Sequence, residues 1–203
     1  MSLTLHAWPT PNSYKISIML EECGLEYDVK PVRLFEGDQH SEEFLTLNPN
    51  GKMPVLQDTR GPEDKPITIF ESGAILIYLA EKTGQFFPDK GQEKYSTLQW
   101  LMWQMAGLGP MLGQAHHFRQ YAPEKINYGI ERYTTEANRL YNLLETRLEE
   151  SQYLAGDNYS IADIATYPWT LSFEKQGVDL SSRPNVMRWM SSIGNRDAVK
   201  KGL

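Results

Sequence analysis

The hydrophobic pattern changes once along this chain of 203 residues, and that change restricts the folds open to it. Over residues 1–82, short strand-like runs alternate with amphipathic helical stretches. Residues 83–94 mix glycine and proline with charged side chains, which is typical of a linker. From 95 to 203 the strand signal fades and apolar residues recur at helical spacing. We therefore expect an α/β domain over 1–82, a linker over 83–94 and an all-helical bundle over 95–203.

The first domain is predicted to follow the order βαβ, then two strands, then a helix. Its predicted strands are Leu3–Ala7, Tyr27–Arg33, Met53–Asp58 and Ile67–Phe70. The first helix is indicated by an apolar stripe with the spacing i, i+3, i+4 and i+7, formed by Ile16, Met19, Leu20 and Cys23. Ser41 and Ser72 stand where the N-caps of two further helices belong, and the first of these covers Glu42–Leu47. Pro31 places the second strand at a sheet edge, because proline donates no ladder hydrogen bond.

Composition excludes several classes of function. The 20 basic and 26 acidic side chains give a net charge of −6 and a pI near 5.3, whereas nucleic-acid-binding proteins usually carry a basic stripe. The single cysteine, Cys23, rules out an internal disulfide framework, a cysteine-rich zinc site and a CxxC dithiol site. No apolar run reaches the ~18–20 residues of a membrane span, and the first ten residues lack the pattern of a secretion signal. We expect a cytoplasmic protein that binds neither nucleic acid nor membrane.

The turn between the first strand and the first helix is the first candidate site. A helix N-terminus carries N–H groups without intrahelical partners and a partial positive charge, an environment that favours thiolates and other anions. This turn has no cysteine, but it contains Thr10, Asn12 and Ser13. These residues either act on a bound anion or simply cap the helix, and the sequence leaves both roles open.

Two further segments combine structural signals with ligand-binding chemistry. Pro54 stands at the start of an apolar strand, where a cis Met53–Pro54 bond would expose the Met53 backbone to a ligand. Ser72, with Glu71 before it, stands at the start of a helix, and a simple cap would explain it. The functional alternative is a ligand with both charges, its carboxylate at Ser72 and the helix N–H groups and its ammonium at Glu71.

Taken together, these segments resemble those of the cytosolic glutathione transferases. The resemblance rests on NPNGKMPVL at 48–56, FESGAILIYL at 70–79 and SIADIATYPW at 160–169, and it covers essentially the whole chain. In the last of these runs, Ser160 and Asp163 form a predicted capping box, which we assign to folding. The resemblance implies a thioredoxin-like βαβ-ββα domain followed by a helical bundle, a homodimer, and glutathione as cosubstrate without a metal.

Other runs narrow the resemblance to one class. TPNSYKISIMLEE at 10–22 and ERYTTEANRLYNLLETRLE at 131–149 are similar to the bacterial Nu class, which is related to the yeast nitrogen-regulatory prion protein. That class implies glutathione-dependent disulfide-bond reduction, with weak transferase or peroxidase activity. Its motifs imply Thr10 and Asn12 as the catalytic residues close to the thiols. The implied glutathione contacts are Asn12, Gln39, Lys52, the Met53 backbone, Glu71, Ser72 and Arg132.

Two other functions stay open. An ordinary conjugating transferase, acting on an electrophilic small molecule in place of a disulfide, would use the hydroxyl of Ser13 or Thr10. A non-enzymatic regulator with the same fold would follow the yeast relative, whose long Asn/Gln-rich extension has no counterpart here. Cys23 is expected in the helix core rather than in catalysis. The adjacent His116 and His117 do not share a helix face, so we expect no metal there.

Overall fold

The computed structural model describes residues 2–203 and divides them into two compact units. The first unit holds the residues up to Gln85 together with Asp197–Leu203, and the second unit is Phe86–Arg196. The sequence expectation placed the division within residues 83–94 and everything after 94 in the helical half. The C-terminal residues join the first unit instead, because the helix they form packs onto it, and periodicity does not reveal such a return.

The first unit is built on a four-stranded mixed sheet with the strand order β2-β1-β3-β4. The strands are β1 (Leu3–Ala7), β2 (Tyr27–Pro31), β3 (Val55–Asp58) and β4 (Ile67–Phe70). β1 runs parallel to β2 and antiparallel to β3, with Leu5 beside Leu56, and β3 pairs with β4 in antiparallel register. The predicted thioredoxin-like sheet, with its second strand at an edge, is confirmed. β2 is shorter than predicted, and β3 begins only at Val55 because Pro54 has no N–H for the ladder.

Helices account for most of the remaining residues. Those within residues 2–203 are α1 (Pro11–Glu22), α2 (Glu42–Leu47), α3 (Ser72–Thr83), α4 (Gly91–Trp103), α5 (Gly109–His116), α6 (Asn127–Glu150), α7 (Ile161–Thr170), α8 (Pro184–Gly194) and α9 (Asp197–Gly202). The prediction for α2 and its Ser41 cap is confirmed, since Phe44 N–H donates to Ser41 Oγ at 3.2 Å. The prediction that Ser72 is the cap of α3 is wrong by one residue. Glu71 is the N-cap, because its φ of 68° is not helical, and Ser72 is the first helical residue.

The buried face of α1 joins the elements of the first unit. Its fully buried apolar side chains are Ile16, Ile18, Met19 and Leu20, and the helix packs against both α3 and α9. The approach of α9 is close, since a Cβ on Gly202 would lie 2.7 Å from the Ile18 backbone. Polar contacts add to it: Lys201 pairs with Glu21 at 2.6 Å, and the Ser17 hydroxyl donates to the Gly202 carbonyl. The first unit is therefore closed by residues from the far end of the chain.

The second unit is all helical, as predicted, and Asp163 ties three of its parts together. One carboxylate oxygen accepts from Leu154 N–H at 3.0 Å and from Trp189 Nε1–H at 2.9 Å. The other accepts from Ser160 N–H and Ser160 Oγ–H, each at 3.0 Å. The capping box predicted at Ser160 and Asp163 is confirmed. Its carboxylate also holds α8 and the 154 loop against α7, which the sequence pattern alone does not predict.

Replacing Asp163 with alanine is expected to lower the free energy of unfolding by about 3 kcal/mol, since four hydrogen bonds are lost and buried donors are left unpaired. Urea denaturation followed by far-ultraviolet circular dichroism measures the change. Asp157→Ala, at an exposed aspartate near the same loop, is the control and is expected to stay within about 0.5 kcal/mol of wild type. Equal stabilities for the two variants would contradict the role given to Asp163.

Candidate active site

The register of the sheet brings four connecting segments to one end of the first unit. β1 and β2 are parallel and end there, β3 is antiparallel to β1 and begins there, and β4 is antiparallel to β3 and ends there. Helices α1 and α3 both start at this end, directly after β1 and β4. The segments that meet there carry the predicted site residues Thr10, Asn12, Gln39, Lys52, Met53, Glu71 and Ser72. The structure therefore collects these residues from four distant parts of the sequence.

The turn after β1 forms a polar, positively polarised helix start. Thr10 is the N-cap of α1: its Oγ1 accepts from Ser13 N–H at 3.4 Å and donates to Ser13 Oγ at 3.1 Å. Pro11 has no N–H, so the first backbone donor of the helix belongs to Asn12, which is half-buried. No acidic side chain lies in the first turn to offset the helix dipole. This end of α1 is suited to an anion, while Ser13 is 3% exposed and already bonded to Thr10.

The loop before β3 is held in shape by Asn48. Its side-chain oxygen accepts from Asn50 N–H at 3.0 Å, and its side-chain amide donates to the Lys52 carbonyl. Gly51 turns the chain at a φ of 62°, and a Cβ there would lie 3.2 Å from the Gln39 carbonyl oxygen. The loop thus packs tightly against the segment that carries Gln39, and Gln39 Oε1 is buried without a hydrogen-bond partner among the described residues.

Met53 presents its backbone rather than its side chain at this end of the sheet. The peptide bond between Met53 and Pro54 is cis. The Met53 side chain packs against a small buried cluster formed by Val32, Phe44 and Val55. With the side chain turned into that cluster, the main-chain N–H and C=O of Met53 are the groups available to pair with a ligand.

Glu71 joins β4 to α3 in a backbone conformation that few residues other than glycine adopt. Its φ is 68° and its ψ is 115°, and its side chain is exposed. Strain of this kind persists only where the surrounding structure enforces it, and it is concentrated at functional sites. Ser72 follows as the first residue of α3 and is 3% exposed. The start of α3 therefore presents an acidic side chain beside a buried hydroxyl and the N–H groups of the first helical turn.

The sequence analysis missed Lys15, which lies on α1 next to Ser72. Its side chain is 1% exposed, and Nζ donates to Ser72 Oγ at 3.3 Å. Burial lowers the pKa of Lys15 to about 7, against the opposing effect of the Glu71 charge. A signal did exist: Lys15 precedes Ile18 by three residues and Met19 by four, so it belongs to the buried face of the helix. The predicted stripe began at Ile16 and therefore left it out.

Arg132 belongs to the second unit. It lies exposed on α6 and lines a cavity of about 660 Å³. The other lining residues are Met111, Tyr128, Glu131, Tyr133, Thr135 and Glu136. The contact of Arg132 with glutathione stays a prediction.

Cys23 lies at the opposite end of α1 from the turn. It is the C-cap residue, only half-buried, with Sγ 3.5 Å from Thr83 Oγ1, so it lies just beyond the helix rather than deep in its core. A helix of twelve residues is roughly 18 Å long, which separates this thiol from Thr10. Burial raises the pKa of Cys23, with the Thr83 hydrogen bond acting in the other direction. A thiol with a raised pKa is a poor nucleophile.

Residues 2–203 contain no group of three or more His, Cys, Asp or Glu side chains placed to hold a metal ion. In the same stretch, no helix has the length and apolar character needed to cross a membrane.

Comparison with protein families matches both halves of the chain. Residues 1–81 match the family described as "Glutathione S-transferase, N-terminal domain", and residues 115–197 match "Glutathione S-transferase, C-terminal domain". Among curated proteins, the chain is 49% identical to "Disulfide-bond oxidoreductase YfcG" of Escherichia coli, over 99% of this chain and 94% of that protein.

Solved structures agree with these matches. A glutathione transferase from Burkholderia graminis, with two glutathione molecules bound per subunit, has a TM-score of 0.94 and 45% identity, and the match covers 99% of this chain and 87% of that one. A glutathione transferase from Pseudomonas putida, with one glutathione disulfide bound per subunit, has a TM-score of 0.93 and 42% identity, with 99% and 90% covered.

The packing of Gly51 against the Gln39 segment can be tested with two glycines of nearly equal φ. Gly51 has a φ of 62° and close neighbours, whereas Gly24 has a φ of 63° and nothing within 4 Å of a built Cβ. Gly24→Ala is expected to cost about 1 kcal/mol from backbone strain alone. Gly51→Ala is expected to cost about 1–2 kcal/mol more, because its neighbours must also move. Urea denaturation compares the two, and equal losses would show that the contact is unimportant.

Proposed function

This chain belongs to the glutathione S-transferase family, and we propose that it catalyses glutathione-dependent reduction of disulfide bonds. One observation carries the proposal. The start of α1 is built to favour an anion but has no cysteine, and the only cysteine of the chain is at the other end of that helix. The reacting thiols must therefore come from the ligand.

The bound glutathione extends along the end of the sheet where the four segments meet. Its γ-glutamyl ammonium pairs with Glu71, and its γ-glutamyl α-carboxylate meets Ser72 and the N–H groups of α3. Its central amide pairs with the Met53 backbone like an added strand segment. Its sulfur lies at the start of α1, near Thr10 and Asn12. The remaining proposed contacts are Gln39, Lys52 at the glycine carboxylate, and Arg132.

Thr10 and Asn12 are the proposed catalytic residues because both can donate a hydrogen bond to sulfur, Thr10 once its hydroxyl turns away from Ser13 Oγ. A free thiol has a pKa of about 8.5, so only a small fraction is thiolate at neutral pH. Donors and the positive end of a helix stabilise the thiolate and lower that pKa. The start of α1 supplies both the donors and the positive helix end. No acidic residue lies in the first turn of the helix to oppose their effect on the thiol.

The proposed reaction consists of two thiol–disulfide exchanges. The first glutathione thiolate attacks one sulfur of the substrate disulfide, which forms a mixed disulfide and releases one substrate thiolate, protonated by water. A second glutathione thiolate attacks the glutathione sulfur of that mixed disulfide, which yields glutathione disulfide and releases the second substrate thiol. Two glutathione molecules together lose two electrons and two protons, and the substrate disulfide gains them.

The comparisons support this reaction. The relative from E. coli carries the name disulfide-bond oxidoreductase, and the neighbours hold either two glutathione molecules or one glutathione disulfide per subunit. These are the reduced and oxidised forms that the two exchanges require. We also propose that the protein works in the cytoplasm as a homodimer, in keeping with its family and its single half-buried cysteine.

Conjugation of glutathione to an electrophile is the second candidate, because the neighbours are named glutathione transferases and the same thiolate would serve. The Ser13 form of this reaction is disfavoured, since Ser13 is only 3% exposed. Reduction of 2-hydroxyethyl disulfide, measured beside conjugation of an aryl halide, tests which activity dominates. We expect the reductase activity to be at least tenfold higher in kcat/KM.

Cys23→Ala is expected to keep reductase activity within about twofold of wild type, because the thiol at that position is roughly 18 Å from the turn. The measurement is kcat/KM for 2-hydroxyethyl disulfide with saturating glutathione. Circular dichroism confirms that the variant is folded. A loss greater than tenfold in the folded variant would overturn the mechanism in which the ligand supplies both thiols.

Asn12→Ala is expected to raise the pKa of the bound glutathione thiol by about 1, which lowers the thiolate fraction at pH 7 by up to about tenfold. The rate at pH 7 should fall with it and recover partly at higher pH. The ultraviolet absorbance of the thiolate, followed against pH with glutathione bound, measures the pKa directly. Thr10→Ala should shift it in the same direction, and Ser13→Ala should leave it in place. A shift in Ser13→Ala alone would instead indicate a serine-type transferase.

A further inference from the structure

In its charged form, Lys15 can only donate in the hydrogen bond to Ser72. A lysine ammonium has three donors and no acceptor, so the Ser72 oxygen accepts in this contact of 3.3 Å. The hydroxyl proton of Ser72 is therefore not used in that bond. Because an oxygen that accepts from a cation becomes a better donor through its own proton, Lys15 strengthens Ser72 as a donor.

Burial of the Lys15 ammonium lowers the stability of the folded state. The side chain is 1% exposed, and removal of an ammonium from water opposes its charged form, which is why burial lowers the pKa of Lys15 to about 7. A methionine has nearly the same length and shape and would occupy the same space without that cost. Residues that reduce stability in this way are typically kept for function.

The charges around Ser72 complement one kind of ligand terminus. Lys15 puts a positive charge behind Ser72, and Glu71 puts an exposed negative charge one residue before it in the chain. An α-amino acid terminus carries the opposite pair, a carboxylate and an ammonium on the same carbon. A ligand with only the ammonium would interact with Glu71 but bring no negative group to the positive side of the site.

We propose that Lys15 is a positioning residue that acts through the Ser72 hydroxyl and makes the site selective for ligands ending in an α-amino carboxylate. The inference rests on the proposed glutathione site, whose γ-glutamyl end is such a terminus. It adds a determinant of selectivity on α1, behind the residues that touch the ligand.

The test compares wild type with Lys15→Met on two ligands. The first is S-methylglutathione, which has no titrating thiol. The second is the same peptide with the γ-glutamyl residue replaced by 4-aminobutanoyl, which lacks only the α-carboxylate. Ligand-detected NMR titration measures dissociation constants into the millimolar range. Wild type should prefer S-methylglutathione by more than tenfold, and Lys15→Met should lose at least tenfold in affinity for it. The preference of Lys15→Met for S-methylglutathione over the second ligand should therefore be at least tenfold smaller than that of wild type.

Stability separates this role from a purely structural one. If Lys15 serves the ligand, Lys15→Met should unfold at a urea concentration equal to or above that of wild type. If it serves the fold, the midpoint should fall. Lys30→Met removes the same charge from an exposed position on β2 and is the matched control, with unchanged affinity expected for both ligands.

Three results would overturn the proposal. Affinity of Lys15→Met for S-methylglutathione within twofold of wild type would remove Lys15 from the site while leaving the glutathione site intact. Equal losses for both ligands, or a lower urea midpoint in Lys15→Met, would show a role in the fold rather than in carboxylate selection. Failure of wild type to bind S-methylglutathione at all would refute the glutathione site itself, and the role of Lys15 with it.

Discussion

The antiparallel pairing of β1 with β3 decides where the functional residues of the first unit lie. Leu5 faces Leu56 at its centre, and both are fully buried. A slip of one residue would turn the buried side chains of a strand to the opposite face, so the core fixes this register. With the register fixed, the end of β1 and the start of β3 fall at the same edge, and β2 and β4 follow from their own pairings. Everything proposed about ligand binding depends on that arrangement.

Much of this architecture is predictable from the sequence because it depends on local patterns. Short strand-like runs indicated the four strands, a helical stripe indicated α1, and serine caps indicated α2 and the box at Ser160. Errors occurred where tertiary contacts decide. The ladder of β3 starts after Pro54, the positive φ of Glu71 moved the cap of α3, and α9 returned to the first unit.

The candidate site was only partly predictable from the sequence. Motifs named the proposed ligand contacts, and the sheet register brings those of the first unit to one end. They did not name Lys15: its spacing to Ile18 and Met19 places it on the buried face of α1, but its contact with Ser72 depends on α3 lying against α1. An acidic chain with a net charge of −6 is a poor general trap for anions. The site therefore depends on local donors: two helix starts without acidic first turns, and one buried ammonium.

The return of α9 also sets an order of events during synthesis. The elements of the first unit leave the ribosome early, but the helix that covers α1 is made only after all of Phe86–Arg196. At usual elongation rates this takes roughly ten seconds. During that interval the Ile18 region of α1 lacks the cover that Gly202 provides in the finished protein. A nascent chain of this kind exposes an apolar helix face to chaperones, and its first unit reaches its final packing only after α9 has been made.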